Sequence, residues 1–467
     1  MTENTAATHR IEQHTIYPIP LAERHGRARD LFTLWFGSNI MILTIVTGAL
    51  ATVTFKLTLA GAILAIVAGN LVGGIFMALH AAQGPQLGVP QMVQSRGQFG
   101  AVGAVFVVAL VVIMYVGFVA SDLVLGGQSL HSIAPGISDQ SGIVLIAVLS
   151  VGAAIYGYDL IHTYGRLMTW LCGAGLLVSF TWILFAGGVP ADLWQRGDLT
   201  FGGFLGTVSV GALWQIAYAP YVSDYSRYMP VDSGVRPTFW ASYAGCVLGS
   251  LLPMLLGALL GLLVTDGDVV TGLTAATGPL SIPIVGAFSL GIGSTIAMNI
   301  YCCVLSTITV GQSFAPGWRA ASGSRITLSL ILMLAALVMA LWGADNFLVK
   351  YENFLALLLC AMTPWTAINL VDFYLIQHGR YDVDAFFSPD GGIYGRYNAV
   401  ALFCYGAGIL VQVPFLATDL FTGPIAAALG GTDISWLVGL VLISPAYYFL
   451  ARLAGRRDLS RTAMEVK

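Results

Sequence analysis

The chain has 467 residues, of which 57% are hydrophobic and only 9% charged, with a formal net charge of −3. Ordinary globular domains carry about a quarter charged residues, and a soluble protein this poor in charge could not cover its surface. With no basic stripe and an almost neutral balance, nucleic acid is not an expected partner; the composition is that of an all-α polytopic membrane protein.

In chain order, residues 1–30 form a polar tail carrying His9, Arg10, Arg24, His25, Arg27 and Arg29. The tail lacks the short apolar core and small-residue cleavage site of a secretory signal, so the first span is expected to be retained. Apolar runs between charged or Pro/Gly-rich breaks then recur to the C-terminus, each near the roughly 20 residues needed to cross the hydrocarbon, and give about twelve spans. They cover residues 31–54, 57–79, 100–125, 142–156, 167–188, 204–228, 239–264, 282–310, 326–342, 354–376, 399–417 and 434–451, followed by a tail at 452–467. No soluble domain interrupts the series.

Placing the N-terminus inside puts all but three of the twenty Lys and Arg residues on the cytoplasmic side, the exceptions being Lys56, Arg196 and Lys350. A single missed span would scramble that bias. Both termini are therefore expected in the cytoplasm, with the protein in the plasma membrane.

The six cysteines (Cys172, Cys246, Cys302, Cys303, Cys360, Cys404) lie in apolar runs, without CxxC pairs or neighbouring histidines. They read as small buried hydrophobes rather than zinc ligands or disulfides. Histidines occupy tails, loops or span ends, and no HExxH or GxSxG occurs, so neither an intramembrane enzyme nor a cofactor is expected. A channel would show repeated pore-lining motifs, and none is present. The expected partners are the lipid bilayer and a small solute, with no obligate protein partner evident.

Asp122, Asp159, Asp224, Glu352 and Asp372 fall near the ends of these spans. At mid-depth the polar residues are neutral: Ser38 and Asn39 in span 1, Gln215 in span 6, and Ser294, Thr295 and Asn299 in span 8. Such a set suits a neutral, hydrogen-bonding solute. Two spans are poor helices at that depth. Span 1 contains Gly37-Ser38-Asn39, a glycine and two residues that compete for backbone hydrogen bonds. Span 6 contains Ala219-Pro220-Tyr221, where the proline lacks an amide proton. A break inside the bilayer is tolerated only beside a cavity or bound solute. For either break alone a simple kink is an adequate reading. Spans 1 and 6, however, hold matching positions in two five-helix halves, as in inverted-repeat transporters whose broken helices hold solute and ion. The halves are 31–188 and 201–376, with two further helices in 397–451.

The segment Tyr218-Ala219-Pro220-Tyr221-Val222-Ser223-Asp224-Tyr225-Ser226-Arg227-Tyr228-Met229-Pro230 resembles the signature of purine–cytosine permeases, in the first nucleobase:cation symporter family. Gly84-Pro85-Gln86-Leu87-Gly88-Val89-Pro90-Gln91 through Arg96 resembles that family's loop between spans 2 and 3. Trp35 to Asn39 and Asn299-Ile300-Tyr301 are similar to its patterns in spans 1 and 8. The resemblance runs the whole chain. It implies a leucine-transporter-type fold (a 5+5 inverted repeat plus two C-terminal helices) and cation-coupled import of a nucleobase, cytosine or a purine. A hydantoin, allantoin or the pyrimidine precursor of thiamine is the alternative solute.

The resemblance further implies that the flat base is held between an aromatic ring of span 3 and one of span 6. Phe118 takes the first place, where relatives often have tryptophan, and Tyr115 stands where some have glutamine. Trp214 and Tyr218 both remain open for the second ring. With Asn39, Gln215 and Asn299 these make the expected substrate contacts. Tyr115, Phe118 and Asp122 share one helical face, as do Trp214 and Tyr218; ordinary helix packing explains any one of these aromatics equally well. Sodium is favoured as the coupling cation, held by backbone carbonyls near Gly37 and Ile40 and by the hydroxyls of Ser294 and Thr295. Those hydroxyls could instead bond back to their own helix. Asp122 is the alternative, as a proton-coupling group.

Overall fold

The structure is a computed structural model that describes residues 14–156, 158–186, 189–264 and 268–455. The outer parts of both predicted tails, residues 1–13 and 456–467, lie outside the described residues. Among the described residues the chain is helical throughout, with one isolated β-bridge between Ala417 and Thr422. Eight helices are long and apolar enough to cross a membrane, and a ninth candidate is the pair Ala28–Asn39 and Ile42–Val53, bent by 62°. Three shorter apolar helices, Asp139–Gly152, Phe201–Ile216 and Ala399–Phe415, complete the series. Each predicted span falls on one of these. Exposed side chains such as Phe106, Trp170, Phe185, Trp342, Leu410 and Leu453 are apolar, the inverse of a soluble surface and the expected lining toward lipid.

Boundaries differ from the sequence reading where polar residues continue a helix. Span 3 runs Ala104–Ile133, eight residues beyond the expected end, because Gly126 and Gly127 are helix interior. A Cβ on Gly127 would press on the Asp139 carbonyl and Ile143 of span 4, so these glycines permit close packing and do not end the helix. Span 10 begins at Phe347 and ends in a π-helical turn, Val371–Ile376. There the Asp372 carboxylate accepts hydrogen bonds from the hydroxyls of Tyr381 and Tyr447.

The most extensive packings are span 3 on span 8 (Ser281–Phe314), span 2 (Leu59–Ala81) on Phe201–Ile216, and span 7 (Val235–Leu263) on both parts of span 1. Exchanging each span for the one five places later maps this set onto itself. At the span 1–span 7 crossing, a Cβ on Gly48 or Gly257 would collide with the backbone of Met254 or Ile45, so glycine is what lets these helices touch.

The N-terminal segment is not a free tail from residue 14 on. Ile16 and Ile19 are buried, the Ile19 amide donates to the Gly88 carbonyl at 3.0 Å, and Gln312 donates to the Tyr17 hydroxyl at 2.7 Å.

Candidate functional site

Span 1 breaks at Ile40 and Met41, which leave the helical region at φ/ψ −86°/80° and −147°/166°. Side chains collect the released carbonyls. Asn39 Nδ2 donates to the Trp35 carbonyl at 2.7 Å, and Thr44 donates to the Asn39 carbonyl at 2.6 Å. Asn39 Oδ1 accepts from Trp214 Nε1 at 2.7 Å and from Ser250 at 2.8 Å. One amide thus pins the break in span 1 to spans 6 and 7.

Span 6 is helical over Phe201–Ile216, passes through tight turns at Tyr218 to Tyr221, and resumes at Val222–Ser226. The resumed turn is anchored to the loop between spans 2 and 3, which folds as two buried helices, Gly84–Leu87 and Gln91–Phe99. Asp224 Oδ1 accepts from the Gln91 backbone N–H at 2.8 Å, and Ser223 donates to Gln91 Oε1 at 2.6 Å. Arg227 donates to the Thr15 carbonyl at 2.7 Å. Arg96 reaches the carbonyls of Thr309 and Phe386, and burial pushes its guanidinium down to about 10, against the opposing influence of Tyr17. The two recognisable signature segments therefore brace one another over residues 84–96 and 222–230, while Tyr218 and Tyr221, at the start of the span 6 segment, line the central cavity.

That cavity lies between the two breaks. Met41 and Leu43 of span 1, Phe118 and Asp122 of span 3, Trp214, Ala217, Tyr218 and Tyr221 of span 6, and Thr295 and Asn299 of span 8 line it. Phe118 meets Trp214 edge-on at 6.3 Å and Phe354 of span 10 at 5.3 Å. Trp214 and Tyr218 are 6.1 Å apart, and Tyr218 and Tyr221 are 5.3 Å apart. The free space between them is only about 10 Å³, room for roughly one water, so a larger solute enters only when the rings part. A cleft of about 660 Å³ lies elsewhere, lined by Thr54, Gly206, Glu352 and Asp433 among others. It is larger but half open, and the side chains at the two helix breaks turn toward the small cavity.

Of the expected solute contacts, Phe118, Trp214, Tyr218 and Asn299 converge on the cavity. Asn39 sits behind Trp214 and acts on the cavity through that ring. Tyr115 packs edge-on against Tyr221 at 5.3 Å, one turn from the cavity. Gln215 is directed elsewhere: its amide donates to Asn70 at 2.7 Å and to Ser250 at 3.0 Å, toward spans 2 and 7. The reason is helical phase, since adjacent residues on a helix never share a face. Asp122 requires the largest correction. It is not at a span end but well inside the lengthened span 3, fully buried, and neither of its carboxyl oxygens has a hydrogen-bond partner among the described residues. Tyr221, Met41 and Leu43 were not anticipated; Tyr221 directly follows the helix-breaking Pro220, which was the available signal.

For the expected ion contacts, the Gly37 carbonyl accepts the Ile40 amide at 3.2 Å. A Cβ on Gly291 of span 8 would lie 3.7 Å from the Ile40 carbonyl oxygen. The Thr295 hydroxyl, one turn further along span 8, reaches the Met41 sulfur at 3.1 Å instead of bonding back to its own helix. Ser294 and Thr295 are both buried. The break in span 1 is thus pressed against the hydroxyl-bearing face of span 8.

Residues 18–439 match the family described as permeases for cytosine/purines, uracil, thiamine and allantoin. The chain belongs to this permease family. It is therefore a transporter and not an enzyme. The permease is 40% identical over 445 residues to YxlA of Bacillus subtilis (strain 168), named as a purine-cytosine permease, covering 95% of this chain and 96% of that one. Its fold is that of Mhp1, a nucleobase-cation-symport-1 family transporter solved in a closed conformation with bromovinylhydantoin bound, with TM-score 0.77 and 19% identity over 95% and 97% of the two chains. A Na+-coupled sialic acid symporter in a substrate-bound outward-open state aligns at TM-score 0.62 and 14% identity, over 92% and 91%.

Proposed function

We propose that this permease imports a neutral nucleobase, cytosine or a purine, by secondary active symport with sodium. The observation that carries the reading is the cavity itself. Aromatic rings from spans 3 and 6 and the Asn299 amide meet where two discontinuous helices break. Stacking on aromatic faces suits any flat base, and the amide supplies edge recognition. One N–H of Asn299 Nδ2 donates to the Thr295 carbonyl at 3.1 Å, and its Oδ1 is buried without a partner among the described residues. That oxygen is the free acceptor for a solute N–H.

Two halves, 31–188 and 201–376, would rock about this site, with 397–451 added. The exchange symmetry of the helix packings supports that division. Both termini face the cytoplasm of the plasma membrane in this reading, supported by the distribution of Lys and Arg.

Sodium would sit where the Ile40 carbonyl approaches span 8 beside Ser294 and Thr295; a hard cation needs only oxygens, and the helix break frees them. The test is linkage. Sodium should tighten binding of radiolabelled cytosine, and cytosine should tighten sodium binding by the same factor. Alanine at both Ser294 and Thr295 should abolish the coupling and leave weak base binding.

A second reading is favoured by one observation, the buried Asp122 in the cavity wall. A titratable group on the transport path marks proton relays. If binding ignores sodium while uptake follows a pH gradient and fails in Asp122→Asn, the proton reading replaces the sodium one.

A further inference from the structure

Away from the central cavity, the surface toward lipid carries a deep groove along span 9, Ser322–Gly343. Ile331, Leu334, Ala335, Val338, Met339 and Trp342 line it, together with Lys350 from the start of span 10, around a volume of about 730 Å³. Those six positions follow the spacing of a single helical face. At about 1.5 Å per residue the stripe is roughly 16 Å long. That is close to half of the hydrocarbon core, itself about 30 Å thick, and so the reach of one acyl chain from headgroup to midplane.

The two ends of the groove differ. The Ile331 end is wholly apolar. At the other end Trp342 is exposed, and the Lys350 ammonium donates to its carbonyl at 3.2 Å. Tryptophan and a snorkelling lysine mark the depth of the lipid headgroups. Lys350 is the only charged residue in the lining, and it pairs with no carboxylate among the described residues. Asp345, in the turn between spans 9 and 10, is exposed, and Glu352 lines the other large cleft instead. One N–H of the ammonium caps the end of span 9, which leaves two for another acceptor. The groove is also more than a furrow in the surface. A gap of about 100 Å³ shares Met339, Gly343 and Lys350 with it and runs inward to Gly117 of span 3 and Phe354 of span 10. A Cβ on Gly117 would lie 2.5 Å from the Phe354 ring, so a glycine is what lets spans 3 and 10 meet at the inner end of this recess.

We propose that the recess is a binding site for an anionic phospholipid, with the headgroup phosphate held by Lys350 and one acyl chain laid along span 9. The site is separate from the transported solute and its ion, and does not depend on which of them is carried. A zwitterionic headgroup brings its own ammonium, which offsets its phosphate; an anionic one keeps its net charge for Lys350. Since Lys350 belongs to span 10 and the apolar stripe to span 9, a lipid held this way ties the two helices together across the turn at 344–346.

The test is photolabelling of the purified, full-length protein in detergent with a phosphatidylglycerol carrying a diazirine on one acyl chain, followed by peptide mapping. In the wild-type protein, residues 331–342 should be labelled more heavily than another lipid-facing helix such as Ser435–Leu453. Unlabelled phosphatidylglycerol should displace that label about fivefold more effectively than phosphatidylcholine with the same chains, the value of one lysine near an anionic headgroup. Lys350→Gln keeps a donor for the Trp342 carbonyl and removes the charge, so the two competitors should become equal. Ala335→Phe fills the groove and leaves Lys350 in place, so labelling at 331–342 should fall with either lipid. Equal competition in the wild-type protein, or labelling of span 9 no greater than of Ser435–Leu453, overturns the proposal, and so does a preference that survives Lys350→Gln. The wild-type measurements decide the matter alone if either variant fails to fold.

Discussion

The coupling between Asn39 and Trp214 can be measured directly. Both are buried, and the 2.7 Å bond from Trp214 Nε1 to Asn39 Oδ1 sets the plane of the indole at the cavity wall. Asn39→Ala removes that acceptor. Ser250, the other donor to Asn39 Oδ1, still has the Cys246 carbonyl at 2.8 Å. The Trp35 carbonyl, which loses Asn39 Nδ2, still receives Ser38 at 3.2 Å. The group left stranded is the indole N–H, and an unpaired buried donor costs about 1–3 kcal/mol. Base affinity should fall by about 1–2 kcal/mol, roughly five- to thirtyfold, as the ring loses its fixed plane. Trp214→Phe removes the donor and leaves Asn39 Oδ1 satisfied by Ser250, so it should cost less. In the double variant there is no stranded N–H, and the two effects should be under-additive by about 1 kcal/mol or more. Equilibrium binding of radiolabelled cytosine to the four purified proteins, each checked for monodispersity, gives the cycle. Additivity within about 0.3–0.5 kcal/mol would refute the claim that Asn39 acts through Trp214.

Three other outcomes are expected. Phe118→Ala should weaken base binding by roughly tenfold or more, since stacking is worth about 1–3 kcal/mol, whereas Phe118→Trp should be tolerated; unchanged affinity in the alanine variant would remove Phe118 from the site. Asn299→Ala should abolish uptake at low substrate while the protein still reaches the membrane, and should reorder competing bases. A uniform loss with the order intact would mark a packing defect instead. Reporter fusions after Lys467 and within 319–325 should read as cytoplasmic and those near Asp266 as external, and an external C-terminus would end the inverted-repeat assignment.

The sequence by itself determined where the chain crosses the membrane and where two crossings fail. Those are local properties. An apolar run has nowhere else to go, a proline cannot donate its amide, and Gly37-Ser38-Asn39 competes with its own helix whatever surrounds it. The signature segments were equally legible; most of their residues brace the bundle, and Tyr218 and Tyr221 at the start of the span 6 segment line the cavity. Only the tertiary structure decided which face of each helix turns inward. Trp214 and Gln215 are neighbours with the same apparent claim on a solute, yet helical phase sends one to the cavity and the other to Asn70 and Ser250. Asp122 looked peripheral because two glycines seemed to end span 3. Packing against span 4 explains those glycines, lengthens the helix, and moves a carboxyl well inside the span. Whether a buried polar group is spent or free is likewise a property of its neighbours in space. Sequence could name Asn299 and Asp122 as polar groups. It took the packing of spans 1, 3, 6 and 8 to show that their side-chain oxygens are buried without hydrogen-bond partners among the described residues.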